Sequence, residues 1–255
     1  MTEGATLDEL LGGRLRLWQP QEGPKVSMDT VLLASWVRVR ARKTRFLELG
    51  AATGAVSLML ALRFPSLRVT GLEIQRDLTL IAQQNRELNG VGDRVSFLQG
   101  DLRDVTLFSP QSFDGLAVNP PYESRKRGRV SPVASRAIAR HGVEPQEGEG
   151  KETCSVEDVA RAAARWLKGG GRLFAVFRAD RLALFVGAMS TCSLTPKRLR
   201  MVHPAPGRPA KLFLIECAKD GGEGLIVEPP LVVYGDGGQY TPELLAVYDR
   251  AAGMR

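Results

Sequence analysis

The sequence predicts an α/β protein built on a mostly parallel sheet, and two patterns support that prediction. Short apolar runs typical of strands alternate with segments whose apolar residues recur at helical spacing, as in parallel sheets. In addition, the apolar run 45–49 leads into the turn 50–54 (Gly-Ala-Ala-Thr-Gly) and then into an apolar helical pattern. A strand, a glycine turn and a helix in that order open the nucleotide-binding half of doubly wound folds.

The individual elements can be placed along the chain. Residues 12–18 suit a short strand or hairpin, and Ser27 suits the N-cap of a helix over 28–40. Three consecutive glycines at 169–171 indicate the end of the helix before them. The last two strands are joined by residues 204–210 alone, too short for a parallel crossover, so they should pair antiparallel. The expected strands are 45–49, 67–74, 95–99, 113–118, 172–178, 197–203 and 211–218, and the expected helices between them are 54–63, 77–89, 155–167 and 180–190.

Length and composition indicate one sizeable domain. The 255 residues, 44% of them apolar, suit a single domain over 1–255 with an N-terminal extension, 1–40, and a substrate loop, 119–150. No apolar run reaches the ~18 residues of a membrane helix, and the polar start predicts no signal peptide. The sequence therefore predicts a cytoplasmic protein without a membrane or an obligate protein partner. The cysteines show no metal-binding spacing and no metal is expected; they are Cys154, Cys192 and Cys217.

The charge balance points to an anionic partner. The net charge is +7, which favours nucleic acid over a membrane surface. The excess is concentrated between residues 124 and 140, where no acid occurs. Such a run is often only solvated surface, but its position after the motif described next favours contact with a substrate. Its cations are Arg125, Lys126, Arg127, Arg129, Arg136 and Arg140.

The most informative motif is Asn119-Pro120-Pro121-Tyr122, which follows the predicted strand 113–118. Each proline fixes its own φ and lacks a backbone donor, and the residue before a proline is pushed out of the helical region. The motif is therefore expected to form a stiff, extended turn at the carboxyl end of a strand, where open α/β sheets bind ligands. An amide, freed carbonyl oxygens and an aromatic ring held together suit a planar substrate with an NH2 group.

Polar residues at the neighbouring strand ends suit a nucleoside. Gly50 and Gly54 allow a close approach to the backbone, and the helix after them offers N–H groups. Glu73, near the end of the next strand, could accept from both hydroxyls of a ribose. Asp101, after the third strand, could accept from an adenine amino group. A nicotinamide cofactor is less favoured because the turn lacks the G-x-G-x-x-G pattern.

These motifs resemble those of the class I S-adenosylmethionine (AdoMet)-dependent methyltransferases. The matching residues stand in the family's order and rough spacing, and one departure is Ala52, where the family has its middle glycine. The resemblance implies a Rossmann-like, seven-stranded, mostly parallel sheet with one antiparallel strand and helices on both faces. It also implies AdoMet as cofactor and S-adenosyl-L-homocysteine as product, bound by Glu48, Gly50, Gly54, Glu73, Asp101 and Asn119.

Further segments of the sequence, called blocks here, resemble the bacterial tRNA(Val)-type adenine N6-methyltransferases, which modify the adenine next to the anticodon. The similarity covers roughly residues 7–242, and it departs at Glu123 and Gly142. The blocks are 7–16, 26–34, 71–75, 140–141, 153–158, 202–204 and 229–234.

This resemblance implies a tRNA or other structured RNA as substrate. The residues predicted to contact it are Arg125, Lys126, Arg127, Arg129, Arg140 and His141.

The expected chemistry is positioning of a weak nucleophile. The side-chain oxygen of Asn119 and the carbonyl of Pro120 would accept from the two N–H bonds of the amine, and Tyr122 would stack on the base. A protein glutamine N5-methyltransferase is the alternative, since its acceptor is also a planar NH2 group. A DNA adenine methyltransferase and a non-catalytic RNA-binding module remain further alternatives. Ser27 and Asp29 either cap a helix or cover AdoMet.

Overall fold

The computed structural model describes residues 4–39, 44–120 and 154–254. Within these ranges the chain forms eleven strands, six α-helices and one 3-10 turn, Ala179–Arg181. The strands are β1 Ala5–Leu10, β2 Leu15–Pro20, β3 Arg45–Leu49, β4 Arg68–Glu73, β5 Val95–Gln99, β6 Phe113–Val118, β7 Leu167–Arg178, β8 Leu194–His203, β9 Leu212–Lys219, β10 Ile226–Val227 and β11 Leu231–Val232. The helices are α1 Met28–Trp36, α2 Ala55–Arg63, α3 Arg76–Leu88, α4 Val156–Trp166, α5 Leu182–Thr191 and α6 Pro242–Ala251.

The central sheet is mostly parallel with one antiparallel strand, as predicted. Seven strands lie in the order β5-β4-β3-β6-β7-β9-β8, and only β9 runs antiparallel to its neighbours. The expected antiparallel pairing of the last two of these strands is thus confirmed. The sheet counts nine strands rather than seven because β10 and β11, of two residues each, pair in parallel with the outer edge of β8.

Both faces of the sheet are covered by helices, as predicted. Successive residues of a strand point to opposite faces, and here both sets are buried. Phe46 and Phe174 belong to a core shared with α1, α2 and α6, and their rings lie 6.1 Å apart. Leu47 and Leu173 belong to a second core, shared with α4 and α5. Burial on both faces explains why the sequences of the central strands are continuous apolar runs.

Two boundaries differ from the sequence prediction. Strand β7 begins at Leu167, directly after α4, so the glycines that were expected to end the helix lie inside the strand. They accommodate an irregular register with β6, and a Cβ on Gly171 would stand 2.8 Å from the carbonyl oxygen of Lys168. Helix α1 ends at Trp36 rather than at residue 40, because Val37 turns into extended backbone.

Residues 5–20 form a hairpin, one of the two alternatives expected for residues 12–18, and its first strand lies before the predicted range. Strands β1 and β2 pair antiparallel, with Leu10 opposite Leu15. Ser27 is the N-cap residue of α1 and has extended backbone, as predicted. Across the described part of the chain, no helix combines the length and the apolar character needed to cross a membrane. Within the same residues, no group of three or more metal-binding side chains occurs.

Candidate cofactor and methyl-acceptor site

Three of the predicted site residues lie at neighbouring strand ends. Leu49, the last residue of β3, is in register with Leu72 of β4 and Val118 of β6. The residues immediately after them therefore meet at the carboxyl edge of the sheet, where a ligand site is expected. These residues are Gly50, Glu73 and Asn119.

The glycine turn has the backbone conformation that its sequence requires. Gly50 has a φ of +68°, and open space lies where a Cβ would stand. Gly54 has a φ of +85°, and a Cβ there would lie 2.4 Å from the ring of Phe97. Ala52 also adopts a positive φ, +47°, which is unfavourable for an L-residue. The turn therefore forms with alanine at the family's middle glycine, as expected.

The Glu73 carboxylate supports this strained turn. One oxygen, Oε2, accepts a hydrogen bond from the Ala52 N–H at 2.8 Å, and Oε1 accepts from the Gln75 N–H at 3.0 Å. Glu73 is 4% exposed, and burial raises the pKa of its carboxyl. Its contact with a ribose stays a prediction. The structure adds a second role, because the carboxylate connects the end of β4 to the turn after β3.

Glu48 points toward the start of α2. Its Oε2 accepts hydrogen bonds from the backbone N–H of Ser57, at 2.8 Å, and from the Ser57 hydroxyl. Burial raises the pKa of the Glu48 carboxyl to about 8, so the protonated form predominates at neutral pH. Ser57 was missed by the sequence reasoning, and the contact fixes the helix that follows the glycine turn.

Asp101 is held by a neighbouring cation. The Arg103 guanidinium donates to both carboxylate oxygens, with Nη2 2.7 Å from Oδ2, and the Arg103 N–H donates to Oδ1 at 2.9 Å. Both side chains are 29% exposed. An adenine amino group at Asp101 would therefore share the carboxylate with Arg103. Sequence reasoning missed this pairing, although a cation two residues after the acid was the available signal.

Asn85 is a further residue that the sequence reasoning missed. It lies on α3 and is fully buried. Its Oδ1 accepts from the Trp18 N–H at 2.7 Å, while its Nδ2 donates to the carbonyl oxygens of Trp18 and Thr53, each at 3.0 Å. One amide therefore joins the N-terminal hairpin, α3 and the glycine turn. The available signal was a second asparagine one helical turn later, Asn89, which bonds to Arg16 in the same manner.

Of the predicted substrate loop, 119–150, the structure describes Asn119 and Pro120, and Pro120 is buried. Cys154 is the first described residue after the loop. Burial raises the pKa of the Cys154 thiol to about 12, and the nearby carboxylates of Asp158 and Asp101 contribute in the same direction. The remaining predicted site residues lie outside the described part of the chain: Tyr122, Arg125, Lys126, Arg127, Arg129, Arg140 and His141.

Together the sheet order, the glycine turn and the acids at the strand ends define the class, that of AdoMet-dependent α/β methyltransferases. A family model described as a methyltransferase domain matches residues 46–137. A predicted O-methyltransferase from Agrobacterium tumefaciens has a similar fold, with a TM-score of 0.67, 22% identity and coverage of 88% of this chain and 96% of that one. Geranyl diphosphate C-methyltransferase from Streptomyces coelicolor, solved with S-adenosyl-L-homocysteine, gives a TM-score of 0.53 at 13% identity, covering 74% and 77%.

A relative in Porphyromonas gingivalis narrows the assignment. It is named tRNA1(Val) (adenine(37)-N6)-methyltransferase and is 31% identical over 229 residues, which cover 86% of this chain and 85% of the relative. At this identity and coverage, the chain belongs to the family of the tRNA1(Val)-type adenine N6-methyltransferases. It is therefore a methyltransferase that uses AdoMet.

The described residues fit that cofactor. The open space above Gly50 leaves room for a ligand against the backbone, where any side chain would intrude. Glu73 stands at the end of the adjacent strand with its carboxylate already oriented by two backbone N–H groups. A carboxylate fixed in this way keeps lone pairs for hydroxyl donors without a further loss of side-chain freedom.

Proposed function

We propose that this enzyme transfers a methyl group to the N6 amine of an adenine in tRNA, at the position next to the anticodon. One observation carries the proposal: Asn119 and Pro120 leave β6 directly beside the strand that leads into the glycine turn. Two acceptors for an amino group are thereby adjacent to the turn at which AdoMet is predicted to bind. The P. gingivalis relative, whose name states this reaction, supports the same choice of substrate.

The reaction requires the protein mainly to position the adenine amine against AdoMet. When bound, AdoMet supplies a methyl group already activated on a sulfonium. The adenine amine is a poor nucleophile because its lone pair is delocalised into the ring. Hydrogen bonds from its two N–H groups to the Asn119 side-chain oxygen and the Pro120 carbonyl oxygen would favour a tetrahedral nitrogen. Orientation of this kind can supply up to ~7–11 kcal/mol. The methylated cation is acidic, so water can take its proton and no general base is required.

The RNA is selected by charge and by exposed bases. Tyr122 would stack on the target adenine, which must leave its own stack to reach the strand end. A tRNA loop already presents unpaired bases, and this lowers the unstacking free energy. The basic run that follows would contact the phosphates.

Incubation with labelled AdoMet and total tRNA tests the proposal most directly. Nucleoside digestion and mass spectrometry should then reveal N6-methyladenosine, and oligonucleotide mapping should place it beside the anticodon. Ribonuclease treatment before the assay serves as the control. If methylation survives that treatment and appears on a protein glutamine, the N5-methyltransferase alternative is correct instead.

A further inference from the structure

Three tyrosine rings form a ladder near the C-terminus. The ring centroids of Tyr234 and Tyr240 lie 5.3 Å apart with 28° between their planes, and those of Tyr240 and Tyr248 lie 6.3 Å apart at 23°. Tyr234 and Tyr240 are 38% and 39% exposed. The ladder therefore presents aromatic surface to solvent at its outer end, whereas Tyr248 is half-buried and anchors it on α6.

The ladder is fixed by the backbone. Tyr234 and Tyr240 face each other in an isolated antiparallel bridge, and the Tyr234 N–H donates to the Pro204 carbonyl at 2.9 Å. The Thr241 N–H donates to the Val233 carbonyl at 3.0 Å. The rings are therefore held at the surface before any partner arrives, so that little side-chain freedom is lost on binding.

The tyrosine ladder and Asn119, the predicted acceptor residue, lie along one edge of the sheet. Strand β11 runs parallel to β8, and β8 runs in the same direction as β6 because β9 is antiparallel to both β7 and β8. Tyr234 follows the carboxyl end of β11, as Asn119 follows that of β6. Four strand spacings separate the two strands, ~19 Å across the sheet. The strand register places Tyr234 about five residues beyond the level of Asn119, or ~16 Å along the strands. A short single-stranded loop can bridge the combined distance.

The surroundings favour a polyanion. The loop between β8 and β9, whose Pro204 carbonyl holds Tyr234, carries Arg208 and Lys211, both exposed. The acids near the ladder are Asp236, between the two exposed tyrosines in the sequence, and Asp29, whose charge acts on Tyr248. Stacked aromatic rings beside cations are the combination with which proteins bind unpaired bases and their phosphates.

We propose that Tyr234 and Tyr240, supported by Tyr248, form a stacking platform for an unpaired base of the RNA substrate outside the methylation pocket. This inference rests on the proposed function and extends it, since it assigns a second RNA contact to the sheet edge. Stacking on every kind of base makes the platform tolerant of sequence. It would hold the loop while the target adenine occupies the strand end of β6.

The test compares Tyr234→Ala/Tyr240→Ala with Tyr234→Phe/Tyr240→Phe, using a fluorescently labelled, unmodified tRNA(Val) transcript as probe. The alanine variant should bind about tenfold more weakly or worse, because stacking of one base is lost. The phenylalanine variant should bind like the wild type, since it keeps both rings. The slope of log affinity against log salt should stay unchanged in both variants, because no charge is removed. Leu245→Ala, which shortens an exposed side chain on α6, serves as the matched control.

Two further measurements separate this proposal from a structural effect and from the proposed function. Thermal unfolding and AdoMet affinity should be the same in all variants. Equal tRNA affinity of the alanine variant and the wild type, or an equally impaired phenylalanine variant, would overturn the stacking platform alone. Wild-type protein that neither binds nor methylates tRNA would overturn both proposals.

Discussion

At the scale of single residues, the glycine turn shows how a departure from the family's sequence is accommodated. Ala52 occupies a left-handed backbone conformation that glycine would adopt without strain. The surrounding structure maintains it, since the Ala52 N–H is bonded to the Glu73 carboxylate. An acid that is predicted to bind the cofactor thus also stabilises the turn that is predicted to bind it.

Substitution of Asn119 tests the acceptor role. Asn119→Ala should lower turnover about 10²-fold or more, the usual effect of losing one preorganised polar contact. Its AdoMet affinity, measured by calorimetry, should fall much less than turnover, because Asn119 is one of six residues that the resemblance assigns to the cofactor and the glycine turn and Glu73 are untouched. Equal losses of turnover and AdoMet affinity would contradict the assignment of Asn119 to the adenine amine.

Glu48 should make stability depend on pH. Its folded-state pKa of about 8 lies above the ordinary value of 4.5. As the pH rises, the unfolded chain therefore loses this proton at a lower pH than the folded protein. Stability is therefore highest below pH 4.5 as far as this group is concerned. It falls as the pH rises to about 8, by up to ~1.4 kcal/mol per pH unit.

Urea unfolding between pH 5 and pH 8 measures this dependence. Glu48→Gln should make the decline in the free energy of unfolding shallower, although the raised pKa of Glu73 leaves part of it in place. Glu22→Gln, at an exposed position, controls for the loss of one negative charge. An unchanged slope in the Glu48 variant would show that burial does not hold this carboxyl protonated.

At the scale of elements, α3 connects parts of the chain that are distant in sequence. The Asn85 amide binds β2 as a neighbouring strand would, with one bond accepted from Trp18 and one donated to it. Its third bond, to Thr53, reaches the turn between β3 and α2. The N-terminal hairpin and the cofactor turn are therefore coupled through one side chain.

Removal of this amide should affect stability and cofactor binding together. Asn85→Ala leaves two half-buried backbone groups of Trp18 and the buried carbonyl oxygen of Thr53 without this partner, and should reduce the free energy of unfolding by about 3 kcal/mol. AdoMet affinity should fall as well, because the turn loses a contact. Asn89→Ala is the matched control, since that amide also bonds to the hairpin but at the surface. Equal, small effects of both substitutions would show that the hairpin does not support the turn.

At the scale of the whole molecule, charge and topology act together. The net charge of +7 attracts RNA in general, while the sheet places Asn119 and the tyrosine ladder along one edge. The attraction of RNA by charge and the binding of its bases at this edge are thus separate contributions to RNA affinity. The two contributions should depend differently on salt, because only the first involves the release of counterions.

The basic run allows that separation to be measured. Replacing Arg125, Lys126, Arg127 and Arg129 by glutamine should weaken tRNA binding and reduce the slope of log affinity against log salt by up to ~3–4, one contact each. AdoMet affinity should be unaffected. A variant with the wild-type salt slope would identify the run as solvated surface that does not touch RNA.

Several features could be predicted from the sequence because they depend on local patterns. Strands β3, β5 and β6 begin and end where their apolar runs do, and the antiparallel partner at the sheet edge followed from the short loop 204–210. The start of β7 could not be predicted, since glycines that often end helices here serve an irregular strand register. The hydrogen bonds Glu48–Ser57 and Asp101–Arg103 were also not predicted. A carboxylate can accept from many donors, and the sequence does not show which donor lies nearby.

The order of strands and helices and the glycine turn were determined by the sequence itself, since each depends on residues adjacent in the chain. Only the tertiary structure decided that Asn85 would join the hairpin to the turn, and that Tyr234 would share a sheet edge with Asn119. The physical reason is that these relations depend on strand order and on side chains meeting across long separations in the chain. Local propensity carries no information about such encounters.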